Sequence, residues 1–118
     1  RELGDEYKRP AYDDIADNGN NPNPGELFNK TNGPNVYDAT VVDYKGMDVT
    51  AAKFLAVLTG DEATTGGKVL KSDANSEVFI YYTDHGGPNL IALPTGGYLC
   101  SDQLSEALQT MQKNKMFN

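Results

Sequence analysis

The stretch Val78-Phe79-Ile80-Tyr81-Tyr82-Thr83 constrains the fold more than any other. Five apolar or aromatic residues follow one another without a polar break. A strand with one wet face alternates, so an unbroken run reads as a strand buried on both faces, the mark of the interior of a parallel sheet. Such a strand needs neighbours on both edges, and exposed strand edges invite aggregation. The run stops at Asp84, and the sole histidine of the chain follows, then Gly86-Gly87-Pro88. The ends of strands in open α/β sheets are where ligands bind.

The rest of the sequence supplies helices more readily than strands. Thr50 predicts an N-cap for a helix over "AAKFLAVLT", with Asp48 near its positive end. Phe54, Leu55 and Leu58 share a face, and Gly60 ends the helix. A second helix is expected from Ser101, as its cap, to Lys113, burying Leu104, Ala107, Leu108 and Met111. Leu90 to Leu93 is a short apolar run closed by Pro94, Val36 to Tyr44 could hold a short strand, and Met116-Phe117 starts another apolar segment. Thr64 to Lys68 reads as a flexible connector. Residues 17 to 34 are rich in Asn, Pro and Gly and read as loop, with Leu27-Phe28 able to dock it. Helix, strand, short strand, helix and the start of another strand predict an α/β fold with a parallel sheet. Few sure partners for the long run are present, so these residues are expected to be an incomplete part of a larger sheet.

With 17 acidic against 10 basic residues the net charge is −7 over 118 residues. No basic patch meets phosphate, which argues against nucleic acid and anionic membranes as partners. No apolar run is long enough to span a bilayer, and the opening "RELGDEYKRP" is too polar for a signal peptide. One cysteine permits no internal disulfide.

His85 is the first candidate for chemistry, because imidazole exchanges a proton near neutral pH. Gly86 could bring its backbone N–H close to a developing oxyanion. The alternative for His85 is an ordinary surface or turn histidine. Asp84 points to the opposite face of a strand from His85, so a turn-forming carboxylate is the preferred reading. Cys100 precedes a helix start, a position that favours a thiolate, but a small, partly buried thiol is the simpler reading. Asp13, Asp14 and Asp17 suggest a calcium loop. The pattern fails at Ala16 and at Gly25, so no metal is expected. No cofactor is expected either. Asn29-Lys30-Thr31 fits the N-glycosylation tripeptide in an expected surface loop.

The segments "YDDIADN", "NPNPGELFN", "GPNVY", "VDYKGMDVTAAKFLAVLTGD", "GKVLKS", "VFIYYTDHGGPNLIALP" and "LSEALQTMQKNKMF" occur in this order. In that order they resemble the legumains, the asparaginyl endopeptidases. The resemblance runs from Tyr12 to the end; residues 1–11 do not follow it and read as an irregular lead-in. It implies a caspase-like α/β sandwich with a parallel sheet, and a cysteine peptidase cleaving peptides and proteins after Asn, with ligation in some relatives. It implies that His85 is the catalytic histidine, that Gly86 contributes to the oxyanion hole, and that Asp84 matches an aspartate that forms a succinimide in some relatives. The family's nucleophile lies in a "Glu-Ala-Cys-Glu-Ser-Gly"-like segment after the second helix, which these residues do not contain, and Cys100 does not match it. Residues 12–118 are then the central part of such a domain without its nucleophile-bearing strand, expected to be inactive alone and to need the missing parts as partners. The implied location is lysosome, vacuole or secretory pathway. Two rivals stand beside this reading: the related glycolipid-anchor transamidase, and a non-catalytic module on the same scaffold.

Overall fold

The computed structural model describes residues 21–38, 42–94 and 96–118. The lead-in at 1–11 and the acids Asp13, Asp14 and Asp17 lie outside them. The described part is α/β. A single 3-10 turn at Gly46–Asp48 leads into helix α1, Ala51–Thr59, and a one-turn helix α2, Glu62–Thr65. Strands β1, Leu90–Ala92, and β2, Tyr98–Cys100, form an antiparallel ribbon that runs into helix α3, Ser101–Lys113.

Helix α1 begins and ends where its sequence dictates. The Thr50 hydroxyl accepts from the Lys53 amide at 3.1 Å, and Gly60 takes a left-handed φ of 76° to close the last turn. Asp48 pairs with Lys53 at 2.8 Å across that first turn. The Thr64–Lys68 connector is less loose than expected. Asp61 caps α2 through the Thr64 amide, and Thr65 is buried. Helix α3 runs over the expected residues, but its N-cap is Cys100, not Ser101. The Cys100 amide donates to the Gln103 side chain at 3.0 Å, so a residue within the helix satisfies the cap position.

Helices α1 and α3 pack together, with the ribbon against α3. The core gathers Tyr44, Val49, Phe54, Val57, Leu58, Leu70, Leu93, Leu99, Met111 and Met116. On α3 only Ala107 and Met111 are fully inside; Leu104 is half-buried, and Leu108, expected in the stripe, is exposed.

Two expectations about strands are corrected. The described sheet is antiparallel, not parallel. The Val78–Thr83 run lies outside it and is not buried on both faces. Val78 and Tyr82 lean on the core and Ile80 between them is 39% exposed, whereas Phe79 is 88% and Tyr81 77% exposed. The physical reason is the period of an extended chain: alternate side chains face opposite ways, and the described residues offer packing on one side only. The Val36–Tyr44 region holds no strand among its described residues; its neighbourhood contributes a single antiparallel bridge, Phe28 to Asn35. The residues after Met116, itself buried, bring the Asn118 amide to the Ser76 carbonyl at 2.8 Å, beside the start of the Val78 run.

Candidate active site

The segment that carries His85 is fixed by few but specific bonds. Tyr82 puts its ring edge-on to Phe54, centroids 6.0 Å apart, and its hydroxyl donates to the Ala92 carbonyl of β1. Two residues on, Asp84 reaches the same strand. Its Oδ2 accepts from the Ala92 amide at 2.7 Å and from the Gly86 amide at 3.1 Å. Tyr82 and Asp84 therefore grip both polar groups of Ala92, and the extended run is tied to β1 through side chains.

These bonds hold the Asp84 carboxyl below the usual aspartate range, chiefly the one from Ala92 and then the one from Gly86. Asp84 thus spans the turn and staples it to β1.

Beyond Asp84 the backbone doubles back. Gly86 has φ +72°, and a side chain there would meet open space. Gly87 and Leu90 exchange hydrogen bonds of 3.1 and 3.3 Å. Between them Pro88 is followed by Asn89 at φ 61°, the left-handed corner that a tight turn with a leading proline asks for. Asn89 accepts from the Ser101 amide at 2.9 Å, joining this turn to the start of α3. Within this frame the His85 side chain is exposed.

The structure brings Asp84, His85 and Gly86 onto one turn. Cys100 pairs with Leu90 across the ribbon and is a free, partly buried thiol. Its amide is already spent on Gln103. Among the described residues no three His, Cys, Asp or Glu side chains gather as a metal site. No helix there is long and apolar enough to cross a membrane. Two features of this site were not foreseen: the Tyr82 hydroxyl and Ala92. Each depends on how β1 folds back against the run, and no spacing in the sequence announces that.

Residues 10–118 match the model of the Peptidase C13 family. The chain is 48% identical over 101 residues to a vacuolar-processing enzyme of Vicia sativa, an alignment covering 83% of this chain and 20% of that protein. It is 47% identical over 107 residues to the hemoglobinase of Schistosoma mansoni, covering 91% and 24%. Against the legumain of Homo sapiens it is 47% identical over 110 residues, covering 90% and 25%. The chain thus spans a quarter or less of the length of each of these relatives.

Proposed function

Because the chain belongs to the peptidase C13 family, we propose that it forms the histidine-bearing central part of a caspase-like cysteine endopeptidase domain that cleaves peptides and proteins after asparagine. Residues 12–118 supply the general base and one oxyanion donor. The thiol comes from polypeptide beyond Asn118. The observation that carries this reading is the bond from the Asn118 amide to the Ser76 carbonyl. A chain continuing extended from there and parallel to Val78–Thr83 would draw level with His85 after about eight residues. The connection between the two strands would be the ribbon and α3, the kind of helical crossover that parallel neighbours require. The added strand would pair with the edge of the run, while the face that exposes Phe79 and Tyr81 is left for other polypeptide of the domain to cover.

In that arrangement His85 takes the thiol proton as the sulfur attacks the carbonyl carbon of the asparagine residue. The imidazolium then gives the proton to the departing amine, and a water activated by the same ring releases the acyl group. The Gly86 N–H stabilises the tetrahedral oxyanion. That N–H now donates to Asp84 Oδ2 at 3.1 Å, the longer of the carboxylate's two contacts, so the oxyanion has to share it or replace Asp84. Asp84 acts through the turn, as a positioning residue. The compartment is the vacuole, lysosome or secretory lumen, in keeping with relatives named vacuolar-processing enzymes.

The test is cleavage of paired peptides with Asn or Ala at the scissile position by the full-length protein. Selective cleavage after Asn that survives Cys100→Ala and is lost in His85→Ala is the expected result. The 118-residue chain alone should be inactive. Activity of that short chain that disappears with Cys100→Ala would overturn the assignment of the nucleophile. A full-length chain with no cysteine in the strand after Asn118 would favour a non-catalytic module instead.

A further inference from the structure

We propose that Asn29 is a glycosylation site that carries an asparagine-linked oligosaccharide; this rests on the secretory, vacuolar or lysosomal compartment of the proposed function. Asn29-Lys30-Thr31 is the sole Asn-x-Ser/Thr tripeptide in the 118 residues, and its middle residue is not proline. Asn29 and Thr31 are both exposed. They sit on a loop held at its neck by the Phe28–Asn35 bridge and by the Val36 amide donating to Leu27 at 2.8 Å. A second bond, Gly33 amide to Lys30 carbonyl at 3.0 Å, folds the tip.

The neighbouring asparagines show what the loop needs for its own shape. The Asn21 amide donates to the Glu26 carbonyl and its oxygen accepts from the Asn23 amide. Asn35 Oδ1 accepts from the Leu27 and Tyr37 amides, both at 2.9 Å. Asn32 turns the chain at φ 58°. Asn29 does none of this: among the described residues its side chain and the Thr31 hydroxyl make no hydrogen bond. The tripeptide is thus both exposed and unspent, and modifying it leaves the neck intact. Phe28, 42% exposed, lines a shallow open groove with residues 29–33.

The donor is an oligosaccharide linked through pyrophosphate to a lipid. Asn29 Nδ2 bonds to the anomeric carbon, the bond from that carbon to the pyrophosphate oxygen breaks, and the amide nitrogen loses one proton. The lipid pyrophosphate leaves, and nothing is oxidised or reduced.

The experiment uses the full-length protein made in a eukaryotic cell and recovered from its own compartment. The peptide containing Asn29 is read by mass spectrometry before and after peptide N-glycosidase in heavy-oxygen water. The expected result is a peptide seen unglycosylated only after the enzyme, with Asn29 deamidated and labelled. Asn29→Gln and Thr31→Ala each abolish the glycopeptide, while Thr31→Ser and Asn32→Gln retain it. An unmodified Asn29 peptide from lumenal protein overturns the proposal and leaves the peptidase reading untouched. Protein found by protease protection to be cytosolic overturns both the compartment and the glycan. Loss of Asn-selective cleavage with the glycan present would strike the peptidase reading alone.

Discussion

Leu99 and Met111 each show 1% of their surface to solvent; Phe79, in the most apolar run of the chain, shows 88%. The first two belong to the α1–α3–ribbon unit, where apolar side chains meet from several directions and burying each is worth roughly 1.5–3 kcal/mol. Phe79 belongs to the segment leading to His85. That segment touches the unit through Val78 and Tyr82 and holds its last turn by the Tyr82 hydroxyl and the Asp84 carboxylate. One region is stabilised by area and the other by a few directional bonds. Directional bonds fix an orientation well and contribute modestly to stability. A turn presenting a reactive ring needs the former, while its unfinished outer face is left for further polypeptide to cover.

Substitutions can break that contrast. The largest expected effect is on activity: His85→Ala in the full-length protein lowers the rate of peptide cleavage by about 10²–10⁴-fold. The unfolding midpoint should not move, because the ring is exposed. Retained cleavage would remove His85 from the mechanism. In the packed unit, Leu99→Ala or Met111→Ala costs about 2–5 kcal/mol in denaturant titrations, since each leaves a cavity the helices cannot fill. A loss below about 1 kcal/mol would mean the core is looser than its burial indicates.

Phe79→Ser sharpens the comparison directly. In the 118-residue chain it changes stability by less than about 0.5 kcal/mol. In the full-length protein the same change costs about 2–4 kcal/mol if further polypeptide packs over this face. Equal, small losses in both would argue that the face stays open. Tyr82→Phe deletes only the hydroxyl bonded to Ala92 and should cost about 1 kcal/mol, with Tyr81→Phe as the silent control.

The smallest effect is electrostatic and has a definite sign. The folded-state pKa of Asp84 is depressed, first by the Ala92 amide and then by Gly86. Its bonds therefore stabilise the fold above the unfolded aspartate pKa, and this contribution fades as pH falls through the lower, folded value. An NMR titration should place its midpoint below that of an unfolded aspartate. Asp84→Asn should flatten the stability profile over that acidic window. An unshifted midpoint would show that the staple to β1 does not persist in solution.

Much of the packed unit was legible in advance because its signals are local. Thr50, Gly60 and the spacing of Phe54 and Leu58 define α1 from within a few residues, since caps and helical periodicity act at that range. Helix α3 was equally legible in extent, but its cap moved to Cys100 once the ribbon delivered the backbone there. Strand β2 went unforeseen because Tyr98–Cys100 is too short to carry a period and exists by pairing with Leu90–Ala92. The candidate site was legible in its residues and not in its support. Asp84, His85 and Gly86 announce themselves by type and order, whereas the grip of Tyr82 and Asp84 on Ala92 joins residues ten and eight positions apart.

By itself the sequence determined what depends on near neighbours: where α1 begins and stops, the flexible turn after an apolar run, and which side chain there can move a proton. Tertiary structure alone decided that Val78–Thr83 meets the core only through Val78 and Tyr82, that the sheet among the described residues is an antiparallel ribbon, and that a carboxylate staples the histidine turn to it. An apolar run records a preference to leave water. Which face succeeds depends on what the rest of the polypeptide brings alongside, and no local pattern carries that information.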